Sequence, residues 1–213
     1  MKCSEICALI EQEYGTEYAC DWDNVGLLAG RSTKEVKKIL LSLDATDEVV
    51  RMAAEGGYDM LITHHPMLFS AIKRVTDQDM NGRRLLELIR NDISYYAMHT
   101  NYDTRGMADL AARLMGLTEC AVLEEVKDGE GIGRVGKLPH PMTLRECGEQ
   151  VKVAYGIPNV RLFGDSDTQV SLVGICPGAG KSTMPLALGF GCDVYITGDI
   201  DHHTGIDAVD QGM

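Results

Sequence analysis

Five of the six histidines, His64, His65, His99, His202 and His203, fall at or just beyond the ends of short apolar runs, with acids nearby at Asp103 and Asp199. Neutral imidazole is the commonest side-chain metal ligand, and imidazole with carboxylate suits zinc, iron, manganese, cobalt or nickel. His64 and His65 are adjacent. Neighbours on a regular strand point to opposite faces, so both can serve one centre only from a loop, where each can bind a different ion of a pair. Asp103, four residues past His99, could bridge or bind one of those ions. Two ions about 3.5–4 Å apart can clamp an attacking and a leaving oxygen, or activate water. The alternative is a set of polar residues on solvated loops.

The elements that must position these groups can be read around them. Met60-Leu61-Ile62 is a short run preceded by Gly56-Gly57, so Met60–Thr63 reads as a buried strand that ends on the histidines, with Pro66 stiffening the exit. Upstream, Lys38–Leu43 reads as a strand and Thr46 caps a helix over Asp47–Glu55. Such a βαβ unit has parallel strands and a right-handed crossover. Downstream, a loop over 67–79 leads to a helix Gly82–Asn91 capped by Asn81, and then to a strand Ile93–Met98 that ends on His99-Thr100-Asn101-Tyr102-Asp103. Parallel strands deliver their carboxyl ends to one edge, where open α/β sheets collect ligands. Residues 4–14 read as an amphipathic helix with Ser4 as N-cap, Asp21–Leu27 as a turn into a short strand Gly26–Ala29, and Met107–Met115 as a helix.

Residues 119–170 change character. The stretch 124–136 is rich in glycine and charge, and Pro139-His140-Pro141 makes a break. Thr143 then caps a helix over Leu144–Tyr155, followed by a strand Val160–Phe163. This reads as a subdomain or connecting region, with a boundary that divides the chain into residues 1–120 and 121–213. The last segment repeats the earlier grammar: a strand Val170–Cys176, a glycine loop, a helix around Lys181–Leu188 and a further strand. Gly191-Cys192-Asp193-Val194-Tyr195-Ile196-Thr197 echoes Gly57-Tyr58-Asp59-Met60-Leu61-Ile62-Thr63. We read a degenerate duplication: an α/β protein of two related halves, with mixed or parallel sheets, facing one cleft.

The 213 residues are 45% hydrophobic, enough for a full core, and no apolar run reaches the ~18 residues a membrane-spanning helix needs. The N-terminus lacks the continuous apolar stretch of a signal peptide. Seven scattered cysteines without a CxxC pair read as reduced thiols of a cytoplasmic protein, packed rather than nucleophilic. A net charge of −12 argues against nucleic acid or an anionic membrane as partner. Gly178-Ala179-Gly180-Lys181-Ser182 invites a P-loop reading, but the position that needs the first glycine holds Ile175, so a tight turn is expected.

Taken together, Trp22-Asp23-Asn24-Val25-Gly26-Leu27, Ile62-Thr63-His64-His65-Pro66, His99-Thr100-Asn101-Tyr102-Asp103, Gly131-Ile132-Gly133-Arg134-Val135-Gly136 and Ile196-Thr197-Gly198-Asp199-Ile200 with His202-His203 resemble the Nif-three-like family, also called GTP cyclohydrolase type-two homologues. The resemblance covers essentially the whole chain. It implies two related α/β halves, a centre of two divalent metal ions between them and a toroidal homohexamer. It assigns His64, His65 and Asp103 as metal ligands, with His99 lining the site. His99, Asp199, His202 and His203 are then expected to orient water or substrate. The implied activity is metal-dependent hydrolysis of a small molecule such as a nucleotide, at a purine carbon or a phosphate ester; a non-catalytic metal-binding regulator is the alternative. The family pattern continues into another strand, a Gly-His and a Glu that complete the metal shell. This chain ends at Asp210-Gln211-Gly212-Met213, so those ligands are expected beyond Met213 and the C-terminus reads as truncated.

Overall fold

The computed structural model describes residues 1–213. Four short apolar runs of the first hundred residues become four-residue strands: β1 (Gly26–Ala29), β2 (Ile39–Ser42), β3 (Met60–Thr63) and β4 (Ser94–Ala97). They form one sheet in the order β1-β4-β3-β2. β2, β3 and β4 are parallel and in register, so that Ser42 lies beside Thr63 and Thr63 beside Ala97. β1 runs antiparallel on the outer edge of β4, with Gly26 opposite Ala97. β3 and β4 are buried at every position, which is why they read as unbroken apolar runs rather than alternating ones. Helices α1 (Cys3–Glu13), α2 (Asp47–Glu55) and α3 (Met80–Arg90) supply the cover. Leu61 and Tyr95 pack with Val50, Ala53, Leu85 and Leu88 in one cluster, and Met60, Ile62 and Tyr96 pack with Cys3 and Cys7 in another.

Two helix starts differ from expectation. Asp79, not Asn81, caps α3, its Oδ1 accepting from Gly82 N at 2.8 Å; a carboxylate there also meets the positive end of the helix dipole. α1 begins at Cys3 with Lys2 in the cap position, its N–H donating to the Glu5 carboxylate at 2.7 Å, so Ser4 lies inside the helix.

The chain divides into two compact units, Met1–Tyr102 and Asp103–Met213. After β4 come a single turn, α4 (Thr100–Tyr102), a π-turn over Asp103–Met107 and α5 (Ala108–Leu114). The division falls before α5 rather than after residue 120, because Ala111, Ala112 and Met115 join the core of the second unit. That unit holds a sheet in the order β5-β6-β7-β8, formed by β5 (Thr118–Lys127), β6 (Glu130–Thr143), β7 (Gln169–Ala179) and β8 (Val194–Asp199). Only β7 and β8 are parallel.

The glycine-rich stretch expected to be a connection is instead the long β5–β6 hairpin. Asp128 and Gly129 take φ of 53° and 78°, the two left-handed positions of a tight hairpin turn. A Cβ on Gly131 would sit 1.9 Å from the Glu124 carbonyl, so glycine there permits close strand approach. Pro139-His140-Pro141 does not break the strand but shifts its register between Lys137 and Met142. The strand expected at Val160–Phe163 is absent; this stretch has no ladder, and Leu162 packs toward Gly148 of α6 (Leu144–Tyr155). α6 carries a full capping box between Thr143 and Glu146. α7 (Met184–Gly189) and α8 (His202–Asp210) complete the chain.

The duplication is visible in backbone detail. Asp59 accepts from the backbone N–H groups of Lys37 and Lys38 at 2.8 and 3.0 Å; Asp193 accepts from Ser171 and Leu172 at 2.9 and 2.8 Å. Tyr58 N donates to Ala53 O, and Cys192 N to Ala187 O, closing the preceding helix in the same way in each copy. Gly57 and Gly191 take the left-handed conformation at equivalent points, φ 62° and 72°. Each aspartate thus joins the start of one strand to the start of its parallel neighbour. Asp59→Ala and Asp193→Ala should each lower unfolding free energy by about 1–3 kcal/mol. Urea melts of both variants, each unchanged, would show that the clamps carry no stability.

Candidate metal centre

The register of the first sheet decides what meets at its carboxyl edge. β2 is followed by Asp44, β3 by His64 and His65, and β4 by Met98 and His99; because the three strands are parallel and in step, these residues arrive side by side. The ladder continues past the strand ends: His64 N and His65 N donate to Ser42 O and Leu43 O, and Met98 N donates to Thr63 O. β1 is antiparallel, so the residues before it, Trp22-Asp23-Asn24, reach the same edge from the opposite direction.

His64, His65 and His99 each offer a ring nitrogen, and these three atoms lie within 4.8 Å of one another. Every ring has its Nδ1 against an oxygen. His64 Nδ1 is 2.9 Å from Met98 O, His65 Nδ1 is 2.8 Å from Asp44 Oδ1, and His99 Nδ1 is 3.0 Å from both oxygens of Asp23. A carbonyl or a carboxylate can only accept, so Nδ1 carries the proton and the lone pair sits on Nε2. A ligating histidine usually has this partnership, which fixes ring orientation and raises basicity. Burial holds the His64 pKa below the ordinary imidazole value, and the neighbouring His99 and His65 rings act in the same direction against the Met98 carbonyl. His64 is therefore neutral at neutral pH, the form that binds a metal.

Asp23 is the most constrained of these partners, its side chain fully buried. Burial pushes its carboxyl up, but hydrogen bonds from His99, Thr100 and Asn24 outweigh that and hold its pKa at about 2. Oδ2 accepts from Thr100 N at 3.0 Å and from Thr100 Oγ1 at 2.5 Å, and Oδ1 accepts from Asn24 N at 2.8 Å. The residue is a charged hub that no neighbouring ammonium neutralises. By sequence alone Asp23 lies in the turn before β1, and Asp44 is the residue that follows the Lys38–Leu43 strand. The signal that could have found them is an acid at the end of a strand, or just before one, that shares the histidines' edge, and that requires the sheet order.

Adjacent His64 and His65 both join the three-histidine cluster because the backbone leaves the strand under control. Thr63 Oγ1 donates to His65 O at 2.8 Å and lies 2.9 Å from Tyr95 OH, which in turn accepts from Met67 N at 2.7 Å. Tyr95 and Thr63 are buried, so this small network pins the His65–Met67 turn from beneath. The splay expected of the two histidines is produced here, with ring centroids 4.9 Å apart.

The remaining candidates lie in the second unit. Asp103 opens the π-turn, a local expansion frequent at functional sites. Asp199 ends β8, exposed. His202 and His203 stand not at a strand end but in the first turn of α8, because Asp201 caps that helix by accepting from Thr204 N and Oγ1. Their rings are exposed and 5.6 Å apart. Lys181 of the glycine-rich turn donates to Asp201 at 2.7 Å, which supports the tight-turn reading over a phosphate loop. A cleft of about 490 Å³ in this unit is lined by Leu144, Val151, Leu162, Ile196, Asp199 and Val209 among others, and by none of the three clustered histidines.

The family model for Duf34/NIF3 (NGG1p interacting factor 3) matches residues 1–213. A Clostridium perfringens protein called GTP cyclohydrolase 1 type 2 homolog is 35% identical over 217 residues, spanning 100% of this chain and 83% of its own. A Streptococcus pneumoniae protein of the same description is 34% identical, over 100% of this chain and 82% of its own. Among solved structures, a Bacillus cereus protein related to NIF3 superposes with a TM-score of 0.92 at 24% identity, over 100% of this chain and 86% of its own, and shows the fold. A Staphylococcus aureus hypothetical protein gives a TM-score of 0.87 at 30% identity, over 100% and 84%.

Two expectations follow from the hydrogen bonding. Asp23→Asn must turn an NH₂ toward either the Asn24 N–H or the Thr100 donors, and in both orientations that NH₂ lies against His99 Nδ1, which disfavours the proton there and with it the Nε2 lone pair. Chelator competition with Co(II) should then show about 10- to 100-fold weaker binding, and less change for half-exposed Asp44→Asn; equal effects would refute the distinction. Tyr95→Phe leaves Met67 N–H buried without its acceptor, at about 1–3 kcal/mol, and should speed hydrogen exchange at Met67.

Proposed function

This chain belongs to the Duf34/NIF3 family, and on that premise we propose that it is a metal-dependent hydrolase whose centre is built on His64, His65 and His99. The observation that carries the reading is the set of three imidazoles within 4.8 Å, each with Nδ1 held by an oxygen. The donor set fits a first-row divalent ion by ligand type and protonation state. Such an ion would supply Lewis acidity and a water acidic enough to lose its proton near neutral pH. The protein's own contribution is preorganisation. Met98 O, Asp44 and Asp23 keep the proton on Nδ1, and the Thr63–Tyr95 network keeps the His64–His65 turn in place before anything binds.

The naming of the relatives as GTP cyclohydrolase homologues supports a nucleotide-like substrate, with attack at a purine carbon or a phosphate ester. The family resemblance extends the proposal to a second ion with Asp103 as ligand and to a homohexamer, and the seven free cysteines suit a reducing, cytoplasmic setting. No helix is long and apolar enough to cross a membrane.

Metal analysis, light scattering and a turnover screen on nucleotides and phosphoesters test this together. His64→Ala should lose both metal and turnover, and Asp103→Ala should bind one ion where the parent protein binds two. Stoichiometric metal without turnover on any substrate would instead favour a metal-binding regulator.

A further inference from the structure

Beside the histidines stand two large apolar side chains that the fold leaves in water. Trp22, the single tryptophan, is 59% exposed and Phe69 is 51% exposed. Their ring centroids are 5.8 Å apart, and the Trp22 ring meets the edge of His99 at 6.2 Å. The pair is held and not left to drift. Trp22 precedes Asp23, which is anchored on His99 and Thr100, and the next residue, Asn24, donates its side-chain amide to Leu68 O, one residue before Phe69. The triplet Trp22-Asp23-Asn24 therefore fixes a histidine, ties down the facing loop and presents an aromatic ring at the lip of the centre. Exposed aromatic surface on rigid backbone beside polar donors is a stacking surface for a flat ring.

We propose that Trp22 and Phe69 form a platform for the planar heteroaromatic ring of the substrate, so that the site takes a base-bearing molecule whose polar part reaches the histidines. The proposal rests on the metal reading only in making that ring part of the substrate. A purely aliphatic phosphoester has nothing to set against this surface. A purine nucleotide satisfies both parts of the site, the ring on the aromatics and the phosphate or ring carbon toward the metal.

The single tryptophan is its own reporter. Full-length protein, metal-loaded and EDTA-treated, is titrated with GMP, AMP, ribose 5-phosphate and inorganic phosphate while Trp22 emission is followed. GMP and AMP should quench it saturably, and ribose 5-phosphate and phosphate should not. Phe69→Ala should weaken GMP binding about 5- to 150-fold, as should Trp22→Ala read by calorimetry, whereas Trp22→Phe should stay near the parent value. Metal content and melting temperature of these variants should match the parent. Equal quenching by ribose 5-phosphate, absence of saturable quenching, or parental GMP affinity in Trp22→Ala overturns the platform. So does shielding of Trp22 from acrylamide in the assembled protein, which would make the pair a subunit contact. Failure of the metal reading shows separately, as samples that hold no metal while base selectivity persists.

Discussion

The in-register pairing of three parallel strands is the constraint on which the histidine cluster depends. Once Ser42, Thr63 and Ala97 are level, the residues that follow them must emerge together, whatever they are. Asp44, His64, His65 and His99 occupy those places, and the antiparallel β1 brings Asp23 to the same edge. A slip of one residue in any pair would move an entire strand's side chains to the opposite face. The buried faces of β3 and β4 prevent that slip, since Met60, Leu61, Ile62, Tyr95 and Tyr96 each fill one of two distinct cores. Core packing and site geometry are thus one and the same specification.

The site's electrostatics follow from where charge is buried. Asp23 has lost its water, and only its hydrogen bonds keep it ionised against that loss. Its negative charge is spent on orienting His99 and Thr100 rather than on pairing with a cation. His65 has a carboxylate partner too, but both groups are half exposed, so solvent weakens that bond. His64 faces a neutral carbonyl. The three Nδ1 partners thus differ in kind and in exposure, and His99, held by the buried carboxylate, is the ring that stands beside Trp22.

The two units show what a shared βαβ device does and does not determine. Asp59 and Asp193 clamp equivalent strand starts, and Gly57 and Gly191 end equivalent helices. Beyond the strand ends the copies diverge. The first turns through His64-His65-Pro66 over the Thr63–Tyr95 network, and the second runs to Asp201, which caps α8 and receives Lys181. The same backbone scaffold carries a histidine cluster in one unit and a helix cap in the other.

Much of this was legible in the residues. Glycine pairs, Thr46 and Thr143 as caps, and short apolar runs marked β2, α2, β3, β4 and α6, because these signals act within a few residues. The duplication was readable because Gly57 and Asp59 recur as Gly191 and Asp193 with the same local duties. His64, His65 and His99 were identifiable by type and by their place at strand ends. The hairpin at Asp128-Gly129 is hidden in a composition of glycine and charge that also suits a connection, although two consecutive left-handed residues are what a tight hairpin turn needs. Asp23 could not be assigned a role from its turn, since its partner His99 lies 76 residues away and meets it only through the antiparallel placement of β1. Local chemistry was settled by the sequence itself; which donors meet, which tautomer they take and which aromatics flank them were decided by strand order, since that alone sets which distant ends share an edge.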